Sequence, residues 1–378
     1  MAIDLKNFVD INIQPAEKST IEGTRGTVAL FVTGTTKTFD GYVSSYQEYV
    51  NFCTENEIVT KTQLDITVSI FFTMNGYRLH LISCEFDNTG EAIITALANL
   101  PTNEIMIMAV DETAMETNNA AEALKAAALH NEQQNVYGID EKVFITNADV
   151  SAEFTEDTEL IKNLIIKYGS RGNEATVAAY LSNINYYETD TVHDYMFTVE
   201  NYTTQSGLTN EGIDLTNEQY LDLISNNYNV DIDIANSIRN MGGNCKDGED
   251  LVNNFSRIVL HQTLTERLVE LLAQKLKSTS GISKIYASIC SELERYKNAG
   301  YLTTDKIWTN EDLKISRNGV TYTIVEKGTP LTNGYIVTIL PMTALTDEER
   351  AERSAPPIYV ILADQYGIRK MTISGEII

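Results

Sequence analysis

The sequence is poor in proline, cysteine and positive charge, and it has no long apolar run. Six prolines in 378 residues, alongside 43% hydrophobic residues, exclude a collagen-like or disordered chain. Four cysteines (Cys53, Cys84, Cys245, Cys290) lie far apart without CxxC spacing. That pattern excludes a disulfide frame or zinc ribbon and suits buried or idle thiols in a reducing compartment. The apolar stretches, such as Ile105–Val110 and Ile358–Ala363, fall far short of the ~20 residues of a spanning helix, so no membrane insertion is expected. The start, MAIDLKNFVDINIQ, carries acids and no apolar core, so no secretory leader is expected. With 28 basic against 53 acidic side chains, the net charge is −25. Nucleic acid and anionic lipid would both repel such a chain.

Signatures of chemistry are also missing. There is no GxxxxGK[ST], GxSxG or HExxH. The glycine-rich loop Gly242–Gly248 runs into Asp247, Glu249 and Asp250, which would repel a phosphate, so it reads as a tight turn. Asp231 and Asp233 are spaced like the opening of a calcium loop, but the glycine and closing glutamate are absent. His80, His130, His193 and His261 read as structural or surface residues. Acid pairs are plentiful, as they must be by chance among 53 acids. No catalytic, metal-binding or cofactor-binding residue is therefore assigned, no cofactor is expected, and the chain reads as a non-enzyme. The remaining enzymatic alternative is an α/β hydrolase working through a carboxylate or histidine, with His193 or Asp194 as its test positions. Trp308, the single tryptophan, reads as a core or interface anchor, and the 20 tyrosines suit wet protein interfaces.

What is present is pattern and asymmetry. Residues 1–239 hold 12 basic and 36 acidic side chains, the remainder 16 and 17. The acidic part suits solvent and the near-neutral part suits packing against partners. Ile3, Leu5, Val9, Ile11 and Ile13 alternate with polar residues until Pro15, predicting a strand with no local mate. Met371, Ile373 and Ile377 alternate likewise at the other end. Leu64–Phe72 alternates too and, with Asn75-Gly76 after it, predicts a hairpin continuing through Tyr77, Leu79 and Leu81. Strands are expected at Glu104–Val110 and Lys142–Asn147, and helices at Glu91–Leu100, Asn118–His130 and Thr158–Gly169. Further helices are expected at Glu174–Asn183, Ser256–Lys277 and Ser283–Asn298, the last ended by Gly300. Strands return at Asp312–Ser316, Val320–Val325, Gly334–Leu340 and Pro357–Ala363, with a turn at Asn318-Gly319. The length allows two or three domains, and the alternation of strand and helix indicates a mixed α/β and α+β multidomain chain. Its two strand-like ends lack mates, and an open strand is a site for pairing with another chain. Head-to-tail pairing between copies generates rings or filaments.

Several stretches resemble the contractile tail sheath proteins of bacteriophages and related injection systems. They are IDLKNFVDINI with GTVALFVTGTT, EATVAAYLSNIN, GGNCKDGEDLV, RLVELLAQKLKSTSGISKIYASICSELERYKNAGYLTTD and PIYVILADQYGIRKMTISGEI. The resemblance implies a mixed-sheet outer domain at residues 23–233, a sheath core domain at 234–366, an N-terminal arm at 1–22 and a C-terminal arm at 367–378. It implies that Ile3–Ile13 and Lys370–Ile378 each add a strand to a neighbour's sheet. It further implies a helical homopolymer of stacked, hexameric rings around a tail tube protein, bounded by baseplate and tail terminator proteins. Such a sheath is assembled in the host bacterial cytoplasm, becomes part of the virion tail and contracts to drive the tube through the host envelope. A static tail tube or baseplate protein is the alternative.

Overall fold

A computed structural model describes residues 26–365 except 36, 60, 102–103, 114–118, 135–140, 149–160 and 274–277. Its largest element is an eight-stranded sheet. The strands are β1 (Thr27–Thr33), β2 (Asp40–Val43), β3 (Arg78–Ser83), β4 (Met106–Asp111), β5 (Val143–Ala148), β6 (Leu164–Tyr168), β7 (Asn229–Asp233) and β8 (Ile238–Met241). Their order is β2-β3-β1-β4-β5-β6-β7-β8. The six inner strands run parallel, and β2 and β8 pair antiparallel at the two edges. The central strands β1 and β4 read as nearly continuous apolar runs because both faces are covered. Along β1, Val28, Leu30 and Val32 face one layer while Ala29 and Phe31 face the other.

One layer holds α3 (Glu91–Leu97) and α4 (Asn119–Gln134). The small side chains of the alanine-rich α4 let it lie close to Phe144 and Ile107. The other layer holds α1 (Tyr46–Glu55), α2 (Thr62–Thr73), α5 (Glu174–Ser182), α7 (Leu251–Ala273) and α8 (Ser278–Asn298). A short helix, α6 (Asn217–Ser225), precedes β7 and is closed by a capping box between Thr216 and Gln219. Helix α7 begins at Leu251, earlier than its leucine stripe suggests. Asp250 caps it, its Oδ1 accepting from the N–H groups of Val252 and Asn253 at 3.0 and 2.8 Å. The acid after the glycine loop thus does the work that an anion would do at an uncapped helix start.

The last part has its own small core of Ile324, Val325, Leu331, Leu340, Ala344, Ile361 and Ala363. Around it lie two antiparallel ribbons, β9 (Leu313–Arg317) with β10 (Val320–Val325) and β11 (Tyr335–Ile339) with β12 (Ile358–Leu362). The first ribbon turns at Asn318 (φ +50°) and Gly319 (φ +74°), as the sequence predicts. A 3-10 turn and α9 (Asp347–Ala351) connect the strands of the second.

Two elements differ from the sequence reading. Residues Thr62–Thr73 form helix α2, not a strand. The positions that bury completely are Leu64, Val68 and Phe71, at helical spacing, and Thr67, Ser69 and Ile70 are buried beside them. Covered on most sides, the helix carries no polar stripe that would betray its period. Asn75-Gly76 ends that helix instead of turning a hairpin. The Gly76 N–H donates to Phe71 O and the Asn75 N–H to Phe72 O, with Asn75 left-handed at φ +61°. Leu164–Tyr168 is strand β6, not part of a helix, because it fills a slot between β5 and β7 where Leu164, Ile165 and Ile166 are fully buried. The boundary expected between Asp233 and Ile234 falls in the turn of the β7–β8 hairpin, so β8 is held by the eight-stranded sheet.

Candidate assembly surface

The β11–β12 ribbon is strongly apolar in sequence and only partly buried. Its strands read YIVTI and IYVIL, with one polar side chain between them. Tyr335, Val337, Ile339, Ile358 and Val360 lean on the α7–α8 core, whereas Ile336, Tyr359 and Ile361 face the small C-terminal core. All of β11 and the first three residues of β12 nevertheless stay half-buried. Among the described residues neither outer edge is paired with another strand.

The phase of the ribbon's own hydrogen bonds fixes which groups face out. Ala363 N donates to Gly334 O at 2.8 Å and Leu340 N to Pro357 O at 3.0 Å. In an antiparallel pair, bonded and non-bonded residues alternate. Gly334, Ile336, Thr338 and Leu340 are therefore bonded inward. Tyr335, Val337 and Ile339 on β11, and Ile358, Val360 and Leu362 on β12, point their N–H and C=O groups at the open edges. An isolated two-stranded ribbon is marginal in water, and an unpaired apolar edge invites another strand. The sequence-predicted arm residues Ile3, Leu5, Val9, Ile11, Ile13, Met371, Ile373 and Ile377 lie outside the described residues.

Groups capable of chemistry sit elsewhere. On one face of β6, β7 and β8, Lys167 is fully buried, with Nζ 2.8 Å from Glu200 Oε2, 2.5 Å from Asp231 Oδ1, 3.0 Å from Asn240 Oδ1 and 3.2 Å from Tyr195 OH. Burial pulls the lysine down, but Asp231 and Glu200 pull it further up, so it rests as an ammonium. Glu200 is raised because burial and Asp231 outweigh the attraction of Lys167. No motif in the sequence marks this cluster. Its one local signal is a lysine set in the apolar run Leu164–Ile166, and Asp231 belongs to it, not to a calcium loop.

A second cluster clamps edge strand β2. His80 Nδ1 lies 2.7 Å from Glu104 Oε2 and Nε2 lies 2.8 Å from Asp40 Oδ1, with Tyr42 stacked on the ring at 4.1 Å. Burial disfavours its charge, but the two carboxylates hold its pKa above the ordinary histidine value. His193 is exposed on a loop, where its carbonyl accepts from Tyr180 OH. The neighbouring Asp194 accepts from Met196 N at 2.9 Å. Among the described residues no three metal-ligating side chains gather, and no helix is long and apolar enough to cross a membrane. The four thiols are free, with Cys53 and Cys245 buried.

No protein-family model and no curated protein sequence matches the chain. Among solved structures it is similar to the helical sheath of the anti-feeding prophage in its contracted state, with TM-score 0.64, 13% identity and 98% of each chain covered. It is also similar to a chain of the anti-feeding prophage baseplate in its contracted state, with TM-score 0.51, 12% identity, and 100% of this chain and 98% of that one covered. A sheath tail protein from Desulfitobacterium hafniense follows at TM-score 0.49 and 7% identity, over 79% of this chain and 91% of that one. The resemblance read from short sequence stretches thus has a counterpart in three dimensions: over nearly its whole length the protein has the fold of a contractile-sheath subunit.

Proposed function

We propose that this protein is the structural subunit of a contractile tail sheath. The observation that carries the reading is the match of nearly the entire chain, at both lengths, to the subunit of a helical sheath. The open-edged β11–β12 ribbon supports it independently, as an acceptor for strands donated by other copies. In this reading Ile3, Leu5, Val9, Ile11 and Ile13 donate one strand and Met371, Ile373 and Ile377 another. Each contact is head-to-tail, so it perpetuates itself into stacked rings, taken as hexameric. The strongly acidic part, residues 23–233, faces outward. The near-neutral part, 234–366, faces a tail tube protein, with β8 carried on the outer sheet. Baseplate and tail terminator proteins bound the polymer. It assembles in the host bacterial cytoplasm and functions in the virion tail or a tail-like particle, contracting to push the tube through the host envelope.

Flexible arms allow subunit bodies to rotate as rigid units while main-chain hydrogen bonds keep neighbours joined. The extended state then persists behind a barrier instead of at the lowest energy. Deleting Lys370–Ile378 leaves a folded chain that forms no tubes in the electron microscope. Long tubes from the truncated chain would refute strand donation by that arm. The similarity to a baseplate chain supports a second reading as a static component. Tubes of two lengths belong to a sheath, whereas one fixed assembly would establish the static reading.

A further inference from the structure

The Lys167 cluster has the parts of a reaction that a structural ion pair does not need. Lys167 lies opposite Asn229 on β7, Asp231 follows two residues on along the same face, and Asn240 lies directly opposite Asp231 on β8. Lys167, Asp231 and Asn240 thus meet on one face of three adjacent strands, and all are fully buried. Glu200 and Tyr195 close over them from the loop that follows α5, and Tyr195 OH donates to Glu200 Oε1. Asn210 Nδ2 holds the second oxygen of Asp231 at 2.9 Å. The odd member is Asn240. Its Oδ1 accepts from Lys167 Nζ at 3.0 Å, but its buried Nδ2 has no hydrogen-bond partner. A buried amide nitrogen left without a partner forfeits the hydrogen bond it had with water. A carboxamide held against a lysine nitrogen between two buried carboxylates is an arrangement for acyl transfer to the amine.

We propose that Lys167 and Asn240 condense in the folded protein to an isopeptide bond, joining β6 to β8 across β7. Lys167 passes one proton to Glu200, which burial already disposes to be the acid. The neutral Nζ attacks Cγ of Asn240, and the carbonyl electron pair moves to Oδ1. Asp231 takes the second proton from Nζ and delivers it to Nδ2. The Cγ–Nδ2 bond breaks, the carbonyl re-forms, and ammonia leaves. The first proton remains on Glu200, so the interior carries the same net charge before and after. No oxidant, metal or cofactor enters the balance. A cavity of about 240 Å3, lined in part by Glu200, Thr176, Tyr180 and Thr198, lies against the cluster and offers ammonia a way out. Water is excluded from the reacting atoms, which favours the amide over hydrolysis.

The cross-link is read from the full-length wild-type protein, folded, then denatured and weighed intact. The expected mass is that of the sequence less one ammonia. Digestion yields a branched peptide joining the Lys167 and Asn240 fragments. Asn240→Ala has the full mass of its sequence, and Glu200→Gln accumulates the product more slowly. A wild-type mass equal to that of the uncrosslinked sequence overturns the proposal whether or not the variants fold. Loss of water with Lys167 tied to Asp231 overturns the assignment of Asn240. Neither result depends on tube formation, so the sheath reading stands or falls separately.

Discussion

Replacing Val337 or Val360 with proline tests the open ribbon without disturbing its own ladder. Both residues point their N–H groups outward, so the ring removes a donor that β11 and β12 do not use between themselves. Each strand offers three outward residues, Tyr335, Val337 and Ile339 or Ile358, Val360 and Leu362. A full added strand therefore gains on the order of 6 kcal/mol from main-chain bonds at about 1 kcal/mol each. One proline deletes a bond and leaves the incoming carbonyl unsatisfied, about 1–3 kcal/mol per contact. At about 1.4 kcal/mol per tenfold, that raises the concentration needed for assembly by roughly 5- to 140-fold. Sedimentation across a dilution series, with microscopy of the pellet, reads that concentration. Circular dichroism checks that the monomer keeps its fold. If Val337→Pro and Val360→Pro both assemble at the wild-type concentration, the ribbon edges receive no strand and the argument from the open edge fails.

Burial holds the Glu174 carboxyl up to about 7, although its Oε2 accepts from Gly172 N at 2.8 Å. The folded protein then binds a proton that the unfolded chain releases near 4.5, so stability falls as pH rises from about 4.5 to about 7, by ~3 kcal/mol. Urea midpoints for wild type and Glu174→Gln across that range should diverge. Parallel curves would mean that Glu174 is ionised throughout. Gly76→Ala would set its Cβ 2.4 Å from the ring of fully buried Phe71, costing about 1–3 kcal/mol. A lowered thermal midpoint checks it, and an unchanged midpoint would place Gly76 away from that ring.

Elements with a strong local signal were legible in the sequence. The alanine-rich α4, the buried strands β4 and β5 and the Asn318-Gly319 hairpin appear where the pattern puts them. The two misread segments have a common cause. In α2 the polar residues Thr67 and Ser69 are buried and mimic a strand's alternation, and in β6 both faces are covered, so in neither does polarity report exposure. Asn75-Gly76 misled because a left-handed residue serves a helix end as well as a hairpin. The open edges of β11 and β12 were out of reach, since strand identity was readable but the absence of a neighbour among the described residues was not. The Lys167 cluster joins positions 167, 195, 200, 231 and 240 through sheet pairing and a loop, and no local window contains it.

The large sheet is sealed at its margins. At one side β2 has only four residues and begins with a charged side chain, Asp40, engaged by His80. At the other, the loop at Phe197–Glu200 already occupies β8, with Phe197 N donating to Asn240 O and Asn240 N to Thr198 O. The large body therefore presents blunt borders, whereas among the described residues the short apolar ribbon beside the helix pair keeps both its edges unpaired.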